Sequence, residues 1–238
     1  MSASESDSRR QLFAAPFSAA YWRLAAAEMK STRMLVLAAV LTALRIAIKS
    51  LSIPIGPNLN ITFGFLINSI GSMIYGPVVA ILASAVSDTL GAVLFPSGPY
   101  FFPFIFVEIA GGLIFALFFY RARISTMRVL LGRFSVTLVC NIILNPILLY
   151  YYYLMYMGTS YSILSLPRMI KNLALFPLQS LVMVILFNAV LPLTNRMGLT
   201  YTGETKLKFG KREIITLVIL TAVSALAIAG YYWYRGLV

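Results

Sequence analysis

The 238-residue sequence contains no histidine, a single cysteine and only seven acidic residues. Without histidine, the chain has no imidazole for a Ser-His or Cys-His nucleophilic pair, a proton relay or a Cys/His zinc site. Its one cysteine, Cys140, lies in an apolar run and has no second cysteine with which to form an intrachain disulfide. These absences exclude most hydrolase chemistry, and no catalytic residue, metal site or cofactor is predicted.

A nucleotide-binding loop is also missing. The G-x-x-x-x-G-K-[ST] pattern that cradles phosphates does not occur, and the nearest stretch, 203–212, has the wrong spacing. If the chain takes part in ATP-driven transport, the nucleotide site must therefore lie on another chain. An enzyme acting on lipid, with Asp88 or Glu108 as acid or base, is a weak alternative because a lone carboxylate lacks a reaction partner.

Hydrophobic residues dominate what is present. They make up 60% of the chain, charged residues only 11%, and the mean hydropathy is +0.88. So few polar side chains cannot coat a water-soluble globule of this size, which predicts an all-α integral membrane protein. Apolar blocks between charges and Gly/Pro pairs predict seven spans, at 34–50, 61–75, 77–95, 100–120, 131–156, 168–191 and 213–234.

The basic residues predict the orientation in the membrane. The net charge is +12, but the bases flank hydrophobic segments instead of lining a polar face, so a nucleic-acid partner is not expected. Most of the 19 Lys and Arg residues, Arg133 among them, fall on one predicted side, which the positive-inside rule makes cytoplasmic together with the N-terminus. The other side keeps Arg45, Lys49, Arg168, Lys171 and Arg235. A multi-pass protein of the cell membrane is predicted.

Two of these basic pairs are candidate ligands for a solute. Arg45 and Lys49 are four residues apart, and Arg168 and Lys171 are three apart, so each pair shares a helix face near the predicted outer side. Together they predict a cationic mouth for a carboxylate-bearing solute. The alternative is that all four side chains extend to lipid phosphates. Asp88 lies inside a predicted span, where an ionised group needs a polar cavity or a partner.

Amides and aromatic residues complete the candidate pocket. The intramembrane amides of Asn68, Asn141, Asn145 and Gln179 suit hydrogen bonds to ring nitrogens, with bonding between helices as the alternative. Two loops are rich in proline and glycine, Ser52 to Asn58 and Phe95 to Pro103, and the second is also rich in aromatics. They suit a lid closed by Tyr100, Phe101 and Phe102. Aromatic loops of this kind also occur simply because Tyr and Phe favour the membrane interface.

A stripe of small residues marks the first span. Ala39, Ala43 and Ala47 recur at intervals of four, which makes one helix face smooth enough for close approach by another helix. That helix belongs either to this bundle or to a partner subunit. The spacing alone does not distinguish the two.

Several stretches resemble the folate-family substrate-binding (S) components of energy-coupling factor (ECF) vitamin transporters. These stretches are Ile61 to Leu66, Tyr75 to Ala80, Ser87 to Phe101, Leu166 to Lys171 and Phe176 to Gln179, and the resemblance covers roughly 34–191. The family carries arginine where this chain has Lys49. It also stops after six helices, whereas this chain continues to Val238.

The resemblance implies a six-helix bundle, here at 34–191, that captures a vitamin from outside. It implies docking, through Ala39, Ala43 and Ala47, on a transmembrane coupling subunit that carries two cytoplasmic ATPases. The expected solute places a pteridine-like ring among apolar and aromatic side chains and its acidic tail toward Lys49, Arg168 and Lys171. Residues 1–33 then form a basic cytoplasmic extension, and 192–238 form a basic linker with an extra transmembrane helix. The alternative function is a stand-alone secondary transporter or channel for a small organic anion.

Overall fold

Helices account for most of the computed structural model, which describes residues 12–13, 15–49, 52–56, 59–96, 98–163, 166–200, 207 and 210–237. In chain order the elements are α1 (Ala19–Ala27), a 3-10 turn (Glu28–Lys30), α2 (Thr32–Lys49), β1 (Ser52–Gly56), β2 (Leu59–Thr62), α3 (Gly64–Leu94), a second 3-10 turn (Phe102–Phe104), α4 (Ile105–Phe119), α5 (Thr126–Val136), a π-helix (Thr137–Leu144), α6 (Asn145–Tyr156), α7 (Leu166–Arg196) and α8 (Lys211–Leu237).

α3 is a helical hairpin. Gly76 interrupts it with φ 76° and ψ 179°, and Pro77 begins the second arm. Ser84 Oγ lies 3.5 Å from Asn68 Oδ1, although a straight helix would separate these residues by about 24 Å. The arms 64–75 and 77–94 therefore run side by side, as the sequence predicts. A Cβ at Gly76 would lie 2.9 Å from the Tyr120 ring, so the turn requires glycine for space as well as for its positive φ.

Within the loop predicted at Ser52 to Asn58, the described residues Ser52–Gly56 instead form a strand of a small antiparallel hairpin. β1 pairs with β2 in a register that places Ser52 opposite Thr62 and Ile53 opposite Ile61. The two strands share one end of the bundle with the start of α4, the end of α6 and the start of α7. We call this the hairpin end, and the opposite end, where α3 turns, the Gly76 end.

Within the described residues, four helices are long and apolar enough to cross a membrane. They are Gly64–Leu94, Phe102–Phe119, Thr126–Tyr156 and Arg168–Arg196, and a fifth span counts if Ala19–Lys30 and Thr32–Ile48, which meet at 82°, form one broken span. The predicted spans 61–75 and 77–95 correspond to the two arms of α3. The all-α membrane bundle is thus confirmed, whereas a membrane crossing by α8, several of whose side chains lie outside the described residues, stays a prediction.

The core lies between α4, α5, α7 and the first arm of α3. Phe115, Phe119 and Phe187 are fully buried there, and the rings of Phe119 and Phe187 are 4.9 Å apart. Large aliphatic side chains such as Val93 and Ile185 instead point outward and are more than half exposed. An apolar exterior around a packed interior suits a lipid environment, since every helix satisfies its own backbone hydrogen bonds.

The N-terminal extension packs against the Gly76 end of the bundle. Tyr21 is 1% exposed, and its hydroxyl donates to the carbonyl of Ala116 at 3.1 Å. Glu28 Oε1 accepts from the Tyr120 hydroxyl at 3.0 Å and from Arg121 Nη2 at 3.3 Å. α1 is thereby fastened across the end of α4, nearly perpendicular to α2.

Tyr21→Phe is expected to lower the free energy of unfolding by about 1 kcal/mol, because it deletes one buried hydrogen bond and leaves the ring in place. The Ala116 carbonyl still accepts from the backbone N–H of Tyr120 and is not orphaned. Thermal unfolding of the detergent-solubilised protein measures the effect. Tyr151→Phe, the same change at a side chain that is 51% exposed, is the control, and equal losses from the two variants would contradict the role of this contact.

Candidate solute-binding site

A buried ion pair holds three helices together. Arg45 on α2 is only 8% exposed, and its Nη2 pairs with Glu108 Oε2 on α4. Its Nη1 donates to Ser84 Oγ at 3.2 Å, and Ser84 in turn contacts the buried amide of Asn68. We call these four residues the Arg45 cluster. Its geometry shows how a charge is kept inside an apolar bundle, with a carboxylate and hydroxyl as partners.

Glycine brings α4 close enough to complete the Arg45 cluster. A Cβ at Gly112 would clash with Ser84 Oγ, and it would lie 3.2 Å from the carbonyl of Ala80. Only glycine therefore allows α4 to approach both arms of α3 at this level.

The position of Arg45 differs from the expected exposed mouth. The sequence predicts that Arg45 and Lys49 meet a solute together at the predicted outer side, but the guanidinium faces the interior and its charge is matched by Glu108. Arg45 lies one helical turn deeper than Lys49, where an unmatched charge costs more than at the interface. The side chain of Lys49 lies outside the described residues. A role for either residue in substrate binding stays a prediction.

A second buried arginine, Arg133 on α5, was assigned to the loop side from the sequence. It is 4% exposed, its guanidinium lies 4.3 Å from the centre of the Phe65 ring, and its Nη2 donates to Gln179 Oε1 on α7. We call Arg133, Phe65 and Gln179 the Arg133 site. The hydropathy pattern contained the signal, because the predicted span 131–156 already includes Arg133.

Cys140 lies between the Arg45 cluster and the Arg133 site. It is 3% exposed, lies two helical turns beyond Arg133, and its Sγ would be 3.8 Å from a Cβ at Gly111. The same Cβ would be 3.9 Å from the Asn68 amide nitrogen, which belongs to the Arg45 cluster. The Arg45 cluster and the Arg133 site therefore flank one interior region between α3, α4 and the π-helix.

Aromatic side chains cover the hairpin end of this interior. Phe101 is 7% exposed, and its ring packs edge-on against Phe104 at 5.4 Å and Tyr152 at 5.8 Å. Tyr156 donates to the carbonyl of Tyr100 at 3.3 Å, which ties the segment before α4 to the end of α6. We call this arrangement the aromatic cover.

The predicted lid residues thus take different positions in the structure. Phe101 is buried in the aromatic cover, whereas Tyr100 is 43% exposed and its hydroxyl lies 3.4 Å from Thr89 Oγ1. Phe102 is 59% exposed and packs on Phe106 at the outer surface. Phe101 is the member of the predicted lid that closes over the interior.

The basic pair on α7 lies at the rim of the bundle. Arg168 and Lys171 are partly buried at the hairpin end, and the guanidinium of Arg168 lies 5.2 Å from the centre of the Tyr161 ring. Arg168 Nη1 is buried without a hydrogen-bond partner among the described residues. Gln179 follows eleven residues after Arg168, which is about 16 Å along the helix. The basic pair Arg168 and Lys171 therefore lies at the rim of the bundle, and the Arg133 site lies deeper in the same bundle.

The remaining polar candidates face the interior to different degrees. Asp88 is 7% exposed and lies one turn after Ser84 on the same face of α3. Asn145 is partly buried at the junction of the π-helix with α6, where its backbone N–H donates to the carbonyl of Cys140. Pro146 follows and has no N–H to continue the α-helical pattern, which explains the wider turn at this point.

The alanine stripe lines an open apolar groove of about 620 Å³ between α2 and the second arm of α3. Ala39, Ala43 and Ala47 are exposed along it, and Ala83 and Leu90 form part of the opposite wall. The small side chains of the alanine stripe leave room for a helix to approach closely.

The bundle has a polar interior with two buried arginines, an aromatic cover at one end and an apolar groove on the side. These features define a membrane-embedded solute-binding bundle. Comparison with known proteins agrees. Residues 29–191 match the family of ECF-type riboflavin transporter S components.

Individual relatives are folate transporters. Folate transporter FolT of Clostridium novyi (strain NT) is 32% identical over 155 residues, which are 65% of this chain and 87% of that protein. The Leuconostoc mesenteroides FolT is 35% identical over 151 residues, 62% of this chain and 80% of that protein. A crystal structure of FolT bound with folic acid superimposes with a TM-score of 0.55 at 32% identity, covering 63% of this chain and 89% of that one.

The chain belongs to the S components of ECF-type transporters, since the family match spans well over half of it. The resemblance seen in the sequence is thereby confirmed. The protein is a transport component and not an enzyme.

Proposed function

We propose that this chain is the vitamin-binding subunit of an ATP-driven importer and that its solute is folate or a related vitamin with a pteridine ring and an acidic tail. The observation that carries the proposal is the basic pair Arg168 and Lys171 at the rim of a polar, aromatic-covered interior. Such a pocket suits a flat polar ring held deep and an anionic tail held at the entrance.

The same pair favours folate over riboflavin. Folic acid ends in a glutamate, whereas riboflavin ends in an uncharged polyol, and the buried Nη1 of Arg168 has no hydrogen-bond partner among the residues that the structure describes. A guanidinium forms its strongest hydrogen bonds with carboxylates. Both relatives described above are folate transporters, although the matching family is described by riboflavin.

Arg168→Ala is expected to weaken folic acid binding about 10-fold to 150-fold, the effect of one charge-assisted hydrogen bond. Titration of the purified protein with folic acid and with its uncharged amide analogue measures it. Only the acid should lose affinity if Arg168 binds the tail. Arg123→Ala, which removes an exposed arginine at the Gly76 end, is the control. An equal, small loss for both compounds would show that Arg168 only anchors the helix to lipid.

The groove supports docking on a partner. We propose that the transmembrane coupling subunit, with its two cytoplasmic ATPases, packs against Ala39, Ala43 and Ala47 from the lipid side. The exposure of these alanines supports a partner outside the bundle instead of packing within it. Vesicles that hold this chain alone should accumulate no vitamin, and robust uptake would favour the stand-alone transporter.

The orientation follows from charge. The Gly76 end carries exposed Arg23, Lys30 and Arg123, and the positive-inside rule makes this the cytoplasmic end of a cell-membrane protein. The hairpin end, with its aromatic cover and rim cations, then faces outward and receives the solute. In this arrangement the extension 1–33 is cytoplasmic, 34–191 forms the binding bundle, and α8 adds a membrane helix after the linker.

A further inference from the structure

The charge of Arg133 has no carboxylate partner in the part of the chain that the structure describes. The ion pairs there include Arg45 with Glu108 and Arg121 with Glu28. Arg133 instead contacts the neutral amide of Gln179 and the face of the Phe65 ring, and its Nε is buried with no hydrogen-bond partner in the described ranges.

This arrangement is costly for a group buried in the membrane. Buried charges are normally paired and fully hydrogen-bonded, as Arg45 is. An amide and an aromatic ring supply partial compensation, but one edge of the guanidinium is left without an acceptor. An electron-rich acceptor from outside the chain would satisfy it.

Two buried hydroxyls next to Arg133 and Gln179 also lack a hydrogen-bond partner among the described residues. Thr137 lies one turn after Arg133 on the same face, and Ser180 directly follows Gln179. The hydroxyls of both residues are buried and find no hydrogen-bond partner in the described part of the chain, and both residues are at most 5% exposed. Among the described residues, three such polar groups thus occur on α5, on the π-helix that continues it and on α7. Native interiors leave few such groups, and a cluster calls for a ligand or ordered water.

We propose that Arg133 recognises the ring of the solute, by donating through Nε to the carbonyl oxygen of a fused pyrimidin-4-one ring. The inference rests on the proposed function and specifies its deep subsite. With the acidic tail at Arg168, a solute that extends into the bundle brings its ring toward Gln179, about 16 Å along α7. Folic acid and riboflavin both contain a fused pyrimidinone carbonyl. One deep subsite therefore suits both vitamins named by the comparisons, while the rim distinguishes their tails.

The test compares two probes that differ at one ring position. Folic acid has an oxygen at ring position 4, and its 4-amino analogue has a donating amino group there. The purified full-length protein is expected to bind folic acid about 10-fold to 100-fold more tightly than the analogue. In the complex with the analogue, the Nε–H of Arg133 and the 4-amino group are both donors and face each other. Titration by intrinsic fluorescence or calorimetry measures both affinities.

Arg133→Met is expected to remove most of this preference by weakening folic acid binding and sparing the analogue. Arg133→Lys, which keeps the charge but not the fork of donors, should retain part of it and serves as a second variant if the methionine variant does not fold. Arg128→Met is the matched control on the same helix, where the side chain donates to the carbonyl of Phe118 and lies outside the site. It should leave the preference unchanged.

The outcomes separate this inference from the proposed function. If the wild type binds folic acid tightly but shows no preference for the 4-oxo ring, the role of Arg133 is overturned and the proposed function stands. Equal losses for both probes in Arg133→Met and Arg133→Lys would likewise make Arg133 a structural residue. If the wild type binds neither probe, both proposals fail.

Discussion

Glu108→Ala is expected to lower the free energy of unfolding by about 3–5 kcal/mol, because it leaves the Arg45 guanidinium buried without its carboxylate. The Ser84 hydroxyl also accepts a hydrogen bond from Arg45, but a hydroxyl cannot neutralise the charge. Thermal or denaturant unfolding in detergent measures the loss. It is the largest effect on stability that we expect from a single substitution in this bundle.

The double variant Arg45→Met with Glu108→Met tests the cause. Replacing a buried ion pair by apolar residues is often neutral or stabilising, so the double variant should recover most of the lost stability. Glu213→Ala, which removes a carboxylate at the exposed start of α8, is the single-residue control. If the double variant is as unstable as Glu108→Ala, the loss arises from packing and the charge argument is wrong.

Ala43→Trp is expected to abolish assembly and to leave vitamin binding intact. The indole fills the apolar groove that Ala43 lines, and overpacking of a close helix interface weakens association by at least about tenfold. Co-purification with the coupling subunit and its ATPases measures assembly, while titration with folic acid measures binding.

Leu44→Trp is the matched control for the groove. Leu44 is 43% exposed on the same helix and does not line the groove, so a bulky ring there should be tolerated. Loss of folic acid affinity in Ala43→Trp would mean that the alanine stripe packs inside the bundle. Loss of assembly in Leu44→Trp to the same extent would mean that the docking surface extends beyond the groove.

Local signals in the sequence located much of the bundle. Gly76-Pro77 predicted the turn of α3, and the structure turns there because glycine alone accepts the positive φ beside Tyr120. The motif that ends in Phe101 predicted a lid of Tyr100, Phe101 and Phe102, of which Phe101 is buried in the aromatic cover. The small-residue spacing predicted a smooth face, and that face lines the groove. Each of these features depends on residues close together in the chain.

Features that depend on two distant helices were missed or misplaced. Arg133 was counted with the loop charges because charge counting along a chain does not show which way a side chain points near a span boundary. Arg45 was expected at an exposed mouth because its spacing to Lys49 shows a shared face but not which neighbour that face meets. Its partner Glu108 lies 63 residues away on another helix.

The sequence by itself determined three things: that the chain is a membrane protein, at which residues its helices break, and to which family it belongs. Hydropathy, glycine-proline breaks and motifs indicate these because they are local properties of the chain. Only the tertiary structure decided that Arg45 is neutralised by Glu108, that Arg133 stacks on Phe65, and that the alanine stripe stays open to the lipid side. These outcomes depend on the rotation and depth of each helix relative to its neighbours. Packing of the whole bundle sets those quantities, and no single segment contains them.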